Sequence, residues 1–542
     1  MKKIDAVSAS KGIAIGKLTL CVSIDDKIAK NNITDIDSEL DRLAKAKDEA
    51  IEALNMIYMN ALKRVGEENS MIFQIHIMML QDEDFFEAIQ NIIRDEKVNA
   101  EYAVWQAGKQ FSEMFSQMDD EYMRGRSADV VDISKRLIRA LDKSLANGLD
   151  SLRERTIVGA VDLMPSETVQ MDSSKVLAFV TKEGSKSSHS AILARTMGIP
   201  AVVGLADRFA ELTDGAQVIV DGSQGTVFIE PDDQTLEEYR EKQEQFEQHQ
   251  KDLKLLKGTK AITKNGIEIE INANIGHPAD VDMVLENDAD GIGLFRSEFL
   301  YMENSTFPSE EQQFEAYRTV LQKMNGKRVI IRTFDLGADK QVPYLNLPRE
   351  ENPALGYRAI RICLDRKELF VTQLRALLRA SVFGKLAIMF PMIISVEEVR
   401  EIKSIVSQVK QDLTNEKIAF SPNIELGIMV ETPASVMMSD LLAKEVDFFS
   451  IGTNDLTQYT LAVDRMNHTI SKMFDSRHPA VLRMIEMTVE NGKKAGIWTG
   501  VCGESAADTE LTQFYVKIGV KELSVTPPAV LELKKAIQQI SL

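Results

Sequence analysis

At 542 residues and 44% hydrophobic composition the chain is long enough for three or so compact units, each with its own core. Its 83 acidic against 64 basic residues give a formal net charge of −19, which argues against nucleic-acid phosphates as a partner and leaves room for a basic protein. No stretch reaches the roughly 18 apolar residues of a membrane span, Met1-Lys-Lys-Ile-Asp5 lacks a signal-peptide run, and Cys21, Cys363 and Cys502 are too scattered for a disulfide framework, so a cytoplasmic protein with no membrane partner is expected.

The first 20 or so residues read as a turn, Ala9–Gly16, followed by an alternating stretch, Lys17–Val22, that predicts a strand in need of a sheet. Residues 33–145 are nearly free of Pro and Gly and carry Ile72, Ile75, His76, Met79 and Leu80 at helical spacing, which predicts an inserted helical subdomain. His76 lies on its apolar face; His76 and the methionines Met71, Met78 and Met79 suit either core packing or an adaptable binding surface. Strand patterns return at Thr156–Val161, Val176–Val180, Val202–Val203 and Val218–Asp221, so residues 146–231 predict a small α/β domain that residues 1–22 complete.

Within that domain Lys182–Arg195 places His189 among serines at the start of a helix, with Ser187 or Ser188 as the N-cap. A helix N-terminus favours anions, so a phosphoryl group on this imidazole would be well placed. Residues 232–258, rich in Glu, Gln and Lys with few apolar points, predict a long exposed linker helix. From residue 259 strand and helix alternate: Ile267–Asn274, Gly291–Glu298, Arg328–Asp335, Leu386–Ile393, Ile424–Thr432, Asp447–Asp455, Gly496–Glu504 and Glu522–Thr526 predict a (β/α)8 barrel, closed off by a helix at Ala529–Ile540.

Active sites of such barrels lie at the C-terminal strand ends, and these ends are charged. They carry Arg296 and Glu298, Arg332 and Asp335 with Lys340 beyond, Glu431, then Asn454 and Asp455 with Arg465 downstream, and Cys502 with Glu504. Glu431 and Asp455 suit Mg2+, which takes oxygen ligands and keeps some waters and phosphate oxygens. Arg296, Arg332 and Arg465 suit forked hydrogen bonds to phosphate and carboxylate, and Asn454 a neutral donor. More arginines than acids are expected to face the site, which a salt-bridge network alone would not need. Cys502 is expected to donate a proton to an enolate, with a thiol pKa near that needed at neutral pH.

The run Gly184-Ser-Lys-Ser-Ser-His189-Ser-Ala-Ile-Leu-Ala-Arg195, followed by Gly198–Gly204, resembles the phosphohistidine signature of the PEP-utilising enzymes. Ser185, Lys186 and Ser187 stand where those enzymes usually have Gly, Arg and Thr, and Ala338 stands for a usual Gly. Asn272–Gly276, Gly293–Leu300, Arg332–Lys340, Phe390–Ile394, Glu431–Pro433, Phe449–Tyr459, Ala462–Arg465 and Gly500–Glu504 are similar to the Enzyme I family of the bacterial PEP-dependent sugar phosphotransferase system. The resemblance implies a multidomain α/β protein: a phosphohistidine domain (1–22 with 146–231), an inserted helical subdomain binding the carrier protein HPr (33–145), a linker helix (232–258) and a PEP-binding (β/α)8 barrel (259–542). It further implies that PEP binds the barrel with Mg2+, that its phosphoryl group passes to His189 and then to HPr, that Thr168 orients the imidazole, and that the barrel forms a homodimer. A dikinase or PEP synthase shares the histidine domain and barrel but needs an ATP-binding domain, for which neither space nor a glycine-rich loop is found. A regulatory scaffold with a slack active site is the other alternative, and intact Arg296, Arg332, Glu431, Asp455 and Cys502 argue against it.

Overall fold

In the computed structural model the N-terminal strands and the chain beyond residue 155 share one sheet, with four helices among the described residues inserted between them. The structure describes residues 1–21, 28–117, 121–142, 154–163, 173–185, 188–302, 304, 306–338, 342–465, 467 and 469–542. Thr168, Lys186, Ser187 and Lys340 fall outside the described residues. Two units emerge, residues 1–249 and 250–542. Among the described residues no helix is long and apolar enough to cross a membrane.

The sheet of the first unit contains β1 (Lys2–Asp5), β2 (Val7–Ser10), β3 (Ile13–Cys21), β4 (Thr156–Ala160), β5 (Val176–Thr181), β6 (Ala201–Val203), β7 (Gln217–Asp221) and β8 (Thr226–Ile229), in the order β1-β8-β7-β3-β4-β5-β6-β2. β3 to β6 run parallel, and the other pairings are antiparallel. The expected turn at Ala9–Gly16 is shorter than the sequence implies: β2 reaches Ser10, and β3 already begins at Ile13 because Ile13–Lys17 pairs with β7.

The inserted helices are α1 (Ile36–Gln81), α2 (Glu83–Glu96), α3 (Ala100–Ser116) and α4 (Glu121–Leu141). A single residue, Asp82, ends α1 and caps α2, its carboxylate accepting the Phe85 amide at 3.0 Å, so the chain turns without a loop. Leu43, Leu54, Phe73, Phe85, Ile89 and Leu137 belong to a core of their own.

The predicted linker helix forms as α6 (Asp233–Lys254), counting the helix at His189–Met197 as α5. It is not exposed along its whole length. Tyr239 is buried against Phe228, with ring centroids 5.0 Å apart, and against Ile219, and Gln243 donates to the Ile13 carbonyl at 3.0 Å. Leu236 and Tyr239, three residues apart, dock one face of a helix whose remainder is largely charged.

The second unit is a closed barrel of parallel strands: β9 (Glu270–Ile275), β10 (Ile292–Arg296), β11 (Arg328–Arg332), β12 (Lys385–Phe390), β13 (Glu425–Val430), β14 (Phe448–Ile451), β15 (Trp498–Val501) and β16 (Glu522–Val525). Alternate residues face the lumen, where Leu294, Ile330, Ala387, Met389, Met429, Phe448 and Cys502 form a cluster separate from the larger core under the helices. All eight strands stop short of the C-terminal ends the sequence predicts or begin later than predicted. The clearest case is Asp447–Asp455: the strand ends at Ile451, and Asn454 and Asp455 belong to the first turn of the helix Thr453–Leu461.

Candidate active site

The last residue of β11, Arg332, is buried at the C-terminal end of the barrel. Its guanidinium donates to Glu298 Oε1 at 2.8 Å and lies 2.6 Å from Asp335 Oδ2. Arg358, from the loop before the helix Ile360–Asp365, donates to Asp335 Oδ1 at 3.1 Å. Burial pushes the Asp335 carboxyl up, yet Arg332 and Arg358 outweigh it and hold Asp335 below its ordinary range. Glu298 moves the other way: burial dominates, and the nearby Asp335 charge adds to the rise despite Arg332. The acids therefore fix the two guanidinium planes, leaving a rigid cationic surface.

Glu431 follows β13 directly and is fully buried. Its Oε1 accepts the Met392 amide at 2.7 Å, while Oε2 has no hydrogen-bond partner among the described residues. Met392 adopts φ 59° to aim that amide, a strained conformation for a non-glycine residue. Burial drives the Glu431 carboxyl well above its ordinary range, followed by repulsion from Asp455 and then Asp335. Gly452 leaves the space that Glu431 fills: a Cβ there would lie 3.0 Å from Oε2. An unpaired buried oxygen with a second carboxylate beside it fits a hard divalent cation whose other positions are filled by water and substrate oxygens. Among the described residues there is no cluster of three or more His, Cys, Asp or Glu side chains of the kind that encloses a metal on its own.

Asp455 lies 3.7 Å from the Arg465 guanidinium, which is half exposed, and Arg296 is exposed at the end of β10. Asn454 exchanges two hydrogen bonds with Glu504, donating to Oε1 at 3.2 Å and accepting the Glu504 amide at 3.0 Å. The expected excess of arginines is not what the site holds. Arg296, Arg332, Arg358 and Arg465 face Glu298, Asp335, Glu431 and Asp455, because the acids needed to orient the guanidiniums come from the same strand ends.

Cys502 follows β15 and is 3% exposed. The thiol pKa differs from the sequence expectation: burial pushes it up to about 12, so the sulfur keeps its proton at neutral pH. Arg358 is the site residue that sequence reasoning misses, since it sits on no strand end. Tyr459, which donates to the Ala354 carbonyl at 2.5 Å, fastens the Arg358 loop to the helix after β14.

In the first unit α5 begins at His189. Ser188 is its N-cap, accepting the Ala191 amide at 3.4 Å and donating to the Ser185 carbonyl at 2.9 Å. Ser190 donates to Asp162 at 2.5 Å, anchoring the first turn to the end of β4. Gly184, at φ 119°, opens the loop that leads into this turn. His76 is a core residue: it is 2% exposed, with Nε2 3.3 Å from Asp129 and Nδ1 3.3 Å from Asp132, both on α4.

Comparison with known proteins assigns all three regions. Residues 250–542 match the PEP-binding domain of PEP-utilising enzymes, residues 152–225 their mobile domain and residues 5–126 their N-terminal domain. The chain is 43% identical over 541 residues to a phosphoenolpyruvate-protein phosphotransferase of Staphylococcus carnosus, covering 100% of this chain and 94% of that protein. It is 43% identical over 540 residues to a protein of the same name from Geobacillus stearothermophilus, covering 100% and 93%. A solution structure of an Enzyme I protein aligns with 45% of this chain and 99% of its own at 36% identity and a TM-score of 0.37.

Proposed function

The chain belongs to the PEP-utilising enzyme family, and from that premise we propose that it moves the phosphoryl group of PEP to His189 and then to the carrier protein HPr, the first step of sugar uptake by the phosphotransferase system. The observation that carries the reading is Glu431 Oε2, buried without a partner beside Asp455 and within a group of arginines. PEP is held at the barrel mouth, its phosphate and carboxylate gripped by Arg296, Arg332, Arg358 and Arg465 with Asn454 and Asp455 beside them. Glu431 and Asp455 hold Mg2+, which when bound offsets the charge of the phosphoryl oxygens.

The His189 imidazole attacks phosphorus in line, forming an N–P bond as the P–O bond to the enol oxygen breaks. The enolate of pyruvate remains, and the Cys502 thiol gives its proton to C3, which makes the transfer favourable. A protonated thiol is the state that this step needs, and burial maintains it. HPr then takes the phosphoryl group at the helical subdomain. There Met78 is exposed near the end of α1 and is followed in the chain by the exposed Asp82, Glu83 and Asp84, an adaptable apolar point edged by acid that suits a basic carrier.

A second copy pairs through the barrel, where Met437, Leu441 and Met487 are exposed on three helices that touch one another, Pro433–Met437, Ser439–Leu442 and Pro479–Ala495. The reaction runs in the cytoplasm, in keeping with three cysteines scattered along the chain. Incubating the chain with PEP, Mg2+ and HPr should add one phosphoryl mass to HPr, and His189→Ala should abolish this while PEP still binds. Phosphorylation of HPr by the variant would sink the assignment of His189. Sedimentation velocity on the same preparation checks the pairing, which a monomer at every concentration would rule out.

A further inference from the structure

The lumen of the barrel is apolar on one side and polar on the other. Asn272, Asn274, Ser450, Glu522 and Ser524 alternate inward on β9, β14 and β16, around Gly500 of β15. Ser450 stands opposite Gly500, and Gly500 stands opposite Glu522 at the N-terminal end of β16. Between Ser450 and Glu522 there is thus no side chain. A Cβ at Gly500 would lie 3.4 Å from Glu522 Cδ, and one at Gly293 would lie 2.3 Å from Oε1, so the carboxyl occupies space that two glycines leave. One residue pair further up the lumen, the Cys502 thiol donates to the carbonyl of Ile451, the neighbour of Ser450, at 3.7 Å, the Ser450 hydroxyl works against the rise of the thiol pKa, and the Cys502 carbonyl accepts from Asn274 at 3.1 Å.

Four buried atoms along this stripe, Ser450 Oγ, Glu522 Oε1 and both amide atoms of Asn272, have no well-formed hydrogen bond among the described residues. Buried polar groups are rarely left so, and these share one face, running from the foot of the barrel to the thiol. At the foot, Glu522 Oε2 is 3.3 Å from Arg328, which also pairs with Glu270 and lies over Trp498. Glu270 and Glu425 are partly exposed there and open the foot to solvent.

We propose that Glu522 is a positioning residue for the proton, recharging Cys502 through Ser450 after the thiol has protonated the enolate. The inference rests on the assignment of Cys502 as the proton donor. In atoms, the S–H proton goes to C3, whose electron pair makes the new C–H bond as C2–O becomes a carbonyl, and a thiolate is left. Ser450 donates its hydroxyl hydrogen to the sulfur while accepting the carboxyl proton of Glu522, directly or across an ordered water. The Glu522 carboxylate regains its proton from solvent. Burial pushes Glu522 up to about 7 against the Arg328 charge, with Glu270 and Glu425 adding to the rise, so it exchanges a proton readily at neutral pH.

The test is steady-state pyruvate formation from PEP by the full chain, with HPr in excess, across pH, because the first turnover draws on the proton that the thiol already holds and only later ones need it recharged. Wild type should exceed Glu522→Gln by about tenfold well below pH 7, where Glu522 is protonated. The gap should close well above pH 7, where the carboxylate has no proton to give. Transfer from phosphorylated HPr to His189 should be unchanged. A deficit that is the same at every pH, or none at all, overturns the relay. Should Glu522→Gln fail to fold by circular dichroism, Ser450→Ala decides by the same pH pattern. Cys502→Ala separates the relay from its premise: normal pyruvate formation in that variant overturns the donor assignment and the relay together. Slow formation by Cys502→Ala, with both relay variants like wild type, overturns the relay alone.

Discussion

Glu431 shows why the chemistry of this site is set by surroundings as much as by residue type. A carboxylate with one oxygen on a strained amide and the other without a partner is poor as a structural ion pair and good as a ligand for a cation. Gly452 guards that second oxygen. Adding a methyl group 3.0 Å from Oε2, and 3.1 Å from Glu431 Cβ, crowds the carboxylate without touching the strand pairing. Gly452→Ala should therefore raise the Mg2+ concentration for half-maximal PEP-dependent transfer by about tenfold, a cost of about 1.4 kcal/mol, with an unchanged melting profile. A metal titration that overlays wild type would show that Glu431 Oε2 does not face the ion. The sequence makes Glu431 and Asp455 legible because an acid after an apolar strand has few other reasons to be there. It leaves Gly452, the Met392 amide and Arg358 hidden, since a backbone approach and a loop residue carry no periodic signal. It names Cys502 but misjudges the thiol, because burial is a property of the lumen and not of the motif.

At the scale of elements, the barrel strands were easy to find and hard to end. Runs such as Leu-Gly-Ile-Met-Val persist through buried parallel strands, whereas the polar residues beyond them belong to loops or to the next helix turn, as Asn454 and Asp455 do. β1 is missed for the opposite reason. β1 carries one buried residue, Ile4, among charged ones, and only its antiparallel pairing with β8 makes it a strand. α6 is legible as a helix but not as a docked one, because Tyr239 among so many charges looks like an isolated apolar point. Its ring meets Phe228 on β8, a short strand outside those predicted from the sequence. Tyr239→Ala should cost about 3 kcal/mol of local stability. Amides of α6 near Tyr239 should then exchange with deuterium roughly a hundredfold faster than in wild type, while those of β11 and β12 keep their protection. Unaltered exchange in α6 would mean that the helix is held by other contacts.

The whole molecule divides its chemistry between units that each have a complete core. The nucleophile motif begins a helix of the first unit, whereas the arginines and carboxylates gather at the strand ends of the second. The contact boundary falls after His249, inside α6, so a cut that respects both units must come after the helix ends at Lys254. Gly258 donates to Asp288, which also receives Lys534 at 2.7 Å, so residues from 255 onward belong with the barrel. If the donor site and the phosphohistidine are separate in this way, the pieces should retain separate halves of the reaction. A fragment of residues 1–254 should accept a phosphoryl group from phosphorylated HPr but take none from PEP. Residues 255–542 should bind PEP in the presence of Mg2+, seen by calorimetry, and never become phosphorylated. Circular dichroism must first show both to be folded, because the barrel core and the helical core have to survive the cut for the comparison to count. Direct phosphorylation of the N-terminal fragment by PEP would place a donor site within the first 254 residues and overturn the division of labour between barrel and histidine domain.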